Sequence, residues 1–323
     1  LPLSSDQATS IGDGSTISLS FDDHHLADVE LKEIWQPDFE KEGKLCYGGD
    51  IDHPEVQRLQ AMKGQYYVTG EIKNYTSWDW PDFHEFRRTP EEVRALFAEK
   101  GWDKIVAFQT RNPMHQAHIQ CVKHAAREHG CNVLLNPVCG PTKKGDISYP
   151  TRMLCYEEVL KMNPGWELNL LPLSMRMGGP REAMLHSIIR QNYGVTHFIV
   201  GRDHAGPGSN RHGEDIYGPN DAIDFMKKHE EELHINVVTI KNMLYLPEQD
   251  TFMPENEVPK GTEVKKISGT EVRRRLRSCE PIPEWFSAKK VIQHLRRNVD
   301  LEIPEANKFL ETQDPVYAIR MAL

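Results

Sequence analysis

Apolar and polar residues alternate with a period of two in the N-terminal part of the chain. Thr16–Phe21, Val29–Trp35 and Tyr66–Ile72 show this pattern, which is typical of half-buried β-strands. His53–Met62 has the composition of one short helix. Residues 1–84 are therefore predicted to form a small, mainly β domain.

From Thr89 onward the pattern changes to an alternation of strands and helices. Thr89 and Pro90 are typical of the cap and first position of a helix. The predicted strands are 104–109, 132–138, 167–173, 196–200 and 235–240, and the predicted helices are 113–129, 150–162, 180–193 and 220–233. Residues 85–241 are thus predicted to form a doubly wound parallel sheet, which binds ligands beyond the carboxyl ends of its strands.

The alternation ends near residue 242. A stretch rich in proline and glutamate, 247–259, precedes a basic helix predicted over 271–277 and a last helix over 287–298. Residues 242–323 are predicted to form a smaller C-terminal domain with a tail.

The loop after the first predicted strand of the sheet has the sequence QTRNPMHQAH, residues 109–118. Asn112 is predicted to cap the following helix and Pro113 to begin it, so that free backbone N–H groups point into a cleft. His115 and His118 would share one face of its first turns, an arrangement that suits phosphate oxygens.

A zinc site is the alternative for these histidines, because His115, His118, Cys121 and His124 recur every three residues. Nine residues turn a helix through about 900°, which places His115 and His124 on opposite sides. One zinc ion cannot collect all four, so we expect no metal there.

Two further loops carry candidate chemistry. GRDHAGPG, residues 201–208, places an Arg, an Asp and a His at a strand end, a cluster that an ordinary glycine turn leaves unexplained. Ser268-Gly269-Thr270 precedes a helix with several arginines, which predicts either an anion nest or a solvated basic face.

Composition narrows the class of protein. The 323 residues are 38% hydrophobic and carry 39 basic against 48 acidic side chains, a net charge of −9. A general nucleic-acid surface is therefore disfavoured. The longest apolar runs are too short for a membrane span, and no leader peptide is evident. The six cysteines form no C-x-x-C pair, so we expect reduced thiols and a cytoplasmic location, with an organelle such as a plastid left open.

Six motifs in one order make the chain resemble the ATP sulfurylase (sulfate adenylyltransferase) family over roughly residues 30–300. QTRNPMHQAH and GRDHAGPG together are highly specific, whereas the histidine pair alone is shared by the wider nucleotidylyltransferase superfamily. The other four are TKKGDI (142–147), MRMGGPREA (175–183), HSIIRQNYG (186–194) and ISGTEVR (267–273).

The resemblance implies a PUA-like β domain, a Rossmann-like nucleotidylyltransferase domain and a small C-terminal α/β lid. It implies sulfate contacts from Gln109, Arg111 and the backbone N–H of Ala205. The implied catalytic residues are Thr110, Arg111, Asn112, His115 and His118. The implied ATP contacts are Gln109, Thr110, Asn112, His115, His118, Gly201, Arg202, Asp203, His204 and Met243, with Ser268, Gly269, Thr270 and Arg273 in a lid loop near the phosphates.

The implied reaction converts ATP and sulfate to adenosine 5′-phosphosulfate and pyrophosphate, with Mg²⁺ held by the ATP phosphates. The resemblance also implies a homo-oligomer, and we expect neither a nucleic acid nor a membrane as partner. Residues 242–270 contain neither Cys nor His, so we expect no zinc of the kind that some relatives bind there. The sequence contains no G-x-x-x-x-G-K-S/T motif, so we expect no fused adenylylsulfate kinase in it. The chain starts as though partway into the β domain.

Two alternatives remain open from the sequence. One is another adenylyltransferase of the same superfamily, with a different acceptor. The other is a nucleotide-binding domain that keeps the fold without turnover.

Overall fold

The computed structural model describes residues 1–12, 14–21, 23–76, 80–143, 145–299 and 320–322. Its first part contains an antiparallel sheet with strands in the order β1-β4-β3-β2-β12. The elements are β1 (Pro2–Leu3), α1 (Ser5–Ser10), β2 (Thr16–Phe21), β3 (His24–Trp35), α2 (Phe39–Tyr47), α3 (Pro54–Ala61), β4 (Tyr66–Lys73) and, from the end of the chain, β12 (Arg320–Ala322).

The three predicted strands and the short helix of this part are confirmed, whereas α1 and α2 were not predicted. Local capping explains α2: the Asp38 carboxylate accepts a hydrogen bond from the Lys41 N–H at 2.9 Å, and Gly48 ends the helix with φ 77°. The strand pairing of β12 with β2 was also not predicted. Residues 300–319 and 323, which belong to the predicted tail, lie outside the described residues.

A parallel sheet forms the central part, as predicted, with strands in the order β7-β6-β5-β8-β9. The direction of this order reverses between β5 and β8, the switch point at which such sheets bind ligands. The elements are α4 (Pro90–Glu99), β5 (Ile105–Phe108), α5 (Gln116–His129), β6 (Asn132–Leu135), α6 (Tyr149–Met162), β7 (Trp166–Leu168), α7 (Gly179–Asn192), β8 (His197–Ile199), α8 (Asp221–Lys228) and β9 (Asn236–Val238).

Alternate residues of each strand enter different cores. Ile105 and Ala107 of β5 pack on one face of the sheet with α4, α7 and α8, and Val106 packs on the other face with α5 and α6. Burial on both faces explains the continuous apolar runs that predicted these strands. The run in β7 continues past the strand because Leu170 is also buried, with its N–H donated to the Phe86 carbonyl at 2.6 Å.

The C-terminal part begins with a hairpin of β10 (Met243–Leu246) and β11 (Thr251–Pro254). It continues with α9 (Gly269–Arg277) and α10 (Lys289–Val299). Leu276 of α9 and Val291 of α10 pack against Cys155 of α6, which anchors these helices to the central part. The hairpin was not predicted, because its strands are short and proline and glutamate dominate the surrounding sequence.

Candidate active site

A cleft of about 520 Å³ opens at the carboxyl edge of the parallel sheet, at the switch point between β5 and β8. The loops after β5 and β8 line one part of it, and the hairpin β10–β11 with residues 285–286 lines another. Every residue implied for sulfate or ATP contact lines this cleft: Gln109, Thr110, Arg111, Asn112, His115, His118, Gly201, Arg202, Asp203, His204, Ala205 and Met243.

A tight turn follows β5. The Thr110 hydroxyl accepts the Asn112 N–H at 3.0 Å and donates to the Asn112 carbonyl at 2.9 Å, and the Tyr156 hydroxyl donates to that same carbonyl at 3.0 Å. These bonds hold Asn112 outside the helix. The prediction that Asn112 caps α5 is therefore wrong: the helix begins at Gln116, and His115 is the N-cap.

The first turn of α5 is covered by the C-terminal part of the chain. The Gln116 N–H donates to the Phe286 carbonyl at 2.8 Å, and the Phe286 ring stacks on the His115 ring with centroids 4.8 Å apart. The prediction that this helix presents free N–H groups to a ligand is therefore wrong for Gln116. An anion at this position would have to displace Phe286.

His115 and His118 do lie together, as their spacing predicted. Their rings stack with centroids 3.8 Å apart, and the His115 N–H points to His118 Nδ1 at 3.4 Å. Burial lowers the pKa of His118 from 6.5 to about 4, and burial together with the neighbouring His118 lowers the pKa of His115 to about 2. Both imidazoles are therefore neutral at pH 7 in this structure, so each carries one ring N–H donor and no positive charge.

Arg111 is bound to an acidic residue that the sequence analysis did not select. Its NH1 contacts both carboxylate oxygens of Asp146, each at 2.5 Å. Asp146 also accepts the Lys143 N–H at 3.1 Å, and Lys143 Nζ donates to the Pro207 carbonyl at 2.6 Å. The segment around Asp146 thus ties the loop after β5 to the loop after β8 and neutralises the cation at the cleft.

The loop after β8 is held in an unusual conformation. Asp203 and Ala205 have φ of 49° and 54°, a region that non-glycine residues rarely adopt. A Cβ at Gly206 would lie 1.7 Å from Asp203 Oδ1, so any other residue here would displace the Asp203 carboxylate. The Ala205 carbonyl accepts the Gly179 N–H at 3.1 Å, while no described residue accepts the Ala205 N–H.

Several lining residues carried no sequence signal. Tyr245 and Trp285 stack with centroids 4.7 Å apart and planes 2° from parallel, and they form an aromatic wall with Phe252. Lys241, Lys265 and Lys266 add cations. These residues come from segments that only the fold brings to the cleft, and neither spacing nor composition marks them.

The implied lid loop adjoins the cleft, and its role near the phosphates stays a prediction. Ser268, Gly269, Thr270 and Arg273 do not line the cleft, although the adjoining Lys265–Ile267 do. The Ser268 hydroxyl caps α9 by accepting the Glu271 N–H at 3.2 Å. Thr270 and Arg273 line a separate groove along α9.

Neither a clustered metal site nor a membrane-spanning helix is present in the part of the chain that the structure describes. It holds no group of three or more His, Cys, Asp or Glu side chains placed to bind a metal ion. In the same part of the chain, no helix has the length and apolar character to cross a bilayer.

A parallel sheet whose switch-point loops carry arginines and polar side chains is typical of α/β proteins that bind a ligand at this edge, and here it is joined to an antiparallel β domain. The comparisons agree with both parts. The ATP-sulfurylase family model matches residues 84–298, and the PUA-like domain model matches residues 1–77. The chain belongs to the ATP-sulfurylase family.

Similar proteins include fungal sulfate adenylyltransferases. That of Emericella nidulans is 49% identical over 279 residues, which are 86% of this chain and 49% of that protein. That of Yarrowia lipolytica is 50% identical over 279 residues, again 86% of this chain and 49% of that protein. The chain therefore spans about half the length of the curated relatives it matches.

A solved structure described as a hexameric APS kinase from Thiobacillus denitrificans shares the fold. Its TM-score is 0.72 at 24% sequence identity, and the match covers 92% of this chain and 52% of that one.

Proposed function

We propose that this chain binds ATP and sulfate in the cleft and transfers the adenylyl group to sulfate, giving adenosine 5′-phosphosulfate and pyrophosphate. The proposal rests on the meeting of two loops at one sheet edge, where Arg111, Arg202 and Ala205 line a single cleft. Both reactants are anions. Cations and donors at this edge offset their repulsion and stabilise the charge on the departing pyrophosphate.

In the proposed reaction a sulfate oxygen attacks the α-phosphorus in line, and the bond from that phosphorus to the pyrophosphate oxygen breaks. Sulfate is already ionised at neutral pH, so no general base is needed. His115 and His118 are neutral and donate N–H groups to the leaving oxygens.

Mg²⁺, when bound to the ATP phosphates, neutralises part of their charge. Asp203 is the single carboxylate among the described residues that line the cleft. This fits a metal ion that is held by the substrate with few protein ligands, as is usual for Mg²⁺. Asp203 is the residue that would approach it.

The donors at the cleft also suggest why sulfate would be preferred to phosphate. At pH 7 sulfate carries no proton, so each of its oxygens only accepts hydrogen bonds, and Arg111 and the Ala205 N–H only donate. Phosphate is partly protonated and presents an O–H that needs an acceptor. Leaving that O–H without a partner costs roughly 1–3 kcal/mol.

A two-direction assay tests the proposal: ATP with sulfate, and adenylylsulfate with pyrophosphate, each with Mg²⁺. Wild type should turn over in both directions, and Arg111→Lys should lose about 10²-fold or more, because an ammonium cannot reproduce a guanidinium's two-point contact. Release of pyrophosphate with another acceptor but not with sulfate would favour a different adenylyltransferase. ATP binding without turnover would favour a nucleotide-binding domain.

Arg181→Lys is the matched control, because Arg181 is an exposed arginine of α7 that does not line the cleft. Near-normal activity of Arg111→Lys would contradict the proposed contact. The homo-oligomer expected from the resemblance stays a prediction, which light scattering of the purified chain tests.

A further inference from the structure

One buried histidine of the antiparallel β domain reaches the loop that precedes α7. His53 is the N-cap of α3 and has no exposed surface. Its Nδ1 accepts the Glu55 N–H at 3.1 Å, and its Nε2 lies 3.0 Å from the Met177 carbonyl oxygen. Because a backbone N–H only donates and a carbonyl only accepts, the imidazole is neutral and carries its proton on Nε2. His53 therefore donates a buried hydrogen bond from the β domain to the central part of the chain.

The loop that accepts this bond has an unusual backbone conformation. Met177 has φ of 56°, a region that non-glycine residues rarely adopt, and Gly179 has φ of 51°. The Tyr217 ring lies so close to Gly179 that a Cβ there would be 2.5 Å from a ring carbon. His53 contacts the same Tyr217 ring, with centroids 6.0 Å apart. The histidine thus supports residues 177–179 through a hydrogen bond and through its packing on Tyr217.

Residues 177–179 in turn hold the loop after β8. The Gly179 N–H donates to the Ala205 carbonyl at 3.1 Å. Ala205 lines the cleft and has φ of 54°, so its backbone depends on its surroundings to stay in this conformation. A chain of direct contacts therefore runs from His53 through residues 177–179 to Ala205.

The residues just before Ala205 have anchors of their own. The Asp203 N–H donates to the Pro219 carbonyl at 2.9 Å. His204 Nε2 lies 3.0 Å from His186 Nδ1, inside the central part of the chain. A disturbance of residues 177–179 should therefore affect Ala205 more than it affects Asp203 and His204.

We propose that His53 is a positioning residue for the proposed sulfate site, because it holds residues 177–179 and, through them, the backbone of Ala205. This inference rests on the proposed function, since it takes Ala205 as part of the site that binds sulfate. The β domain then contributes to sulfate binding, although none of its described residues lines the cleft.

Two substitutions separate the two hydrogen bonds of the imidazole. Asparagine is a preferred N-cap residue, so His53→Asn keeps an acceptor for the Glu55 N–H, but its side chain is too short to reach the Met177 carbonyl. In His53→Gln the longer amide extends as far as Nε2 and donates to Met177, while the cap of α3 is weakened. Both variants lose the ring and its packing on Tyr217, so each is the control for the other.

Amide hydrogen exchange followed by NMR tests the anchoring without a ligand. The Gly179 N–H should exchange up to about tenfold faster in His53→Asn than in His53→Gln, because the loop opens more often once the Met177 carbonyl has lost its donor. The N–H groups of β6 are the internal control and should exchange alike in both variants. Equal exchange at Gly179 would overturn the inference. His53→Ser also caps a helix without reaching Met177, and it replaces His53→Asn if that variant does not fold.

Pyrophosphate release then gives the KM for sulfate at saturating ATP and the KM for ATP at saturating sulfate. The KM for sulfate should be about threefold to tenfold higher in His53→Asn than in His53→Gln, the range expected for one lost hydrogen bond. The KM for ATP should be the same in both, because Asp203 and His204 keep their anchors. A merely structural role would lower the amount of active enzyme, and therefore kcat, without changing the KM for sulfate.

The same KM for sulfate in the two variants, or an equal rise for sulfate and ATP, would contradict the positioning role. If wild type releases no pyrophosphate with sulfate, the proposed function fails. The exchange rate of the Gly179 N–H still tests the anchoring in that case, so the two failures are distinguishable.

Discussion

Replacing His118 with glutamine should make the protein more resistant to acid between pH 7 and pH 5. His118 packs against His115 with ring centroids 3.8 Å apart, and burial lowers its pKa from 6.5 to about 4. The folded protein therefore keeps this imidazole neutral in a range where the unfolded chain protonates it. Because the unfolded state binds more protons there, the free energy of unfolding falls as the pH falls.

The size of the effect follows from the two pKa values. With 6.5 in the unfolded chain and about 4 in the folded protein, His118 alone removes about 2 kcal/mol of stability between pH 7 and pH 5. This is a sizeable part of the about 5–15 kcal/mol that stabilises a typical protein. Most of the loss falls between pH 6.5 and pH 5.

Glutamine is the suitable replacement because His118 is the third residue of α5. A glutamine at this position retains a side-chain acceptor for the N-cap N–H of His115. Urea unfolding at pH 7, 6 and 5, followed by circular dichroism, gives the free energies. His212→Gln is the control, because His212 is exposed and its replacement leaves the packing of His118 intact.

Other buried groups also affect the stability in acid, which is why the comparison between variants matters more than the wild-type slope. Burial also lowers the pKa of His204 to about 3, which adds to the acid sensitivity. Burial raises the pKa of Glu182 and Asp203, so the folded protein holds protons on these two carboxyl groups more readily than the unfolded chain does. This effect opposes the acid sensitivity that the histidines cause. An identical pH dependence in wild type and His118→Gln would refute the burial of a neutral His118.

Two further outcomes are expected at the cleft. Asp146→Asn replaces a charge-assisted contact of Arg111 with a neutral one, which weakens the contact that sulfate must displace by about 1–1.5 kcal/mol. Sulfate binding, measured by calorimetry at constant ionic strength, should therefore tighten about tenfold. Weaker binding would mean that Asp146 orients Arg111 instead of competing for it. Phe286→Ala removes the ring stacked on His115 and should lower the free energy of unfolding, measured by urea unfolding, by about 2 kcal/mol. This loss is smaller than that for a fully buried phenylalanine, because Phe286 is half-buried. Phe286→Leu should recover most of that loss, and no change in Phe286→Ala would mean that the stacking contributes nothing to stability.

Much of the fold was predictable because its signals are local. Continuous apolar runs such as Ile105–Phe108 and residues 133–135 arise from burial on both faces of a parallel sheet. The strand-end loops 109–118 and 201–208 were selected for their residue types, and both line the cleft. Topology alone brings such loops together, because parallel strands end at one edge.

The sequence by itself determined the alternation of strands and helices, the strands of the first domain and the candidate residues of the two strand-end loops, since each depends on neighbours along the chain. Only the tertiary structure decided where α5 begins, because the bond from Gln116 to the Phe286 carbonyl joins distant segments. The same holds for Asp146 on Arg111 and His186 beside Gln109. These contacts determine the helix start and the charge beside Arg111, and they depend on distances between segments far apart in the sequence, which local sequence patterns do not specify.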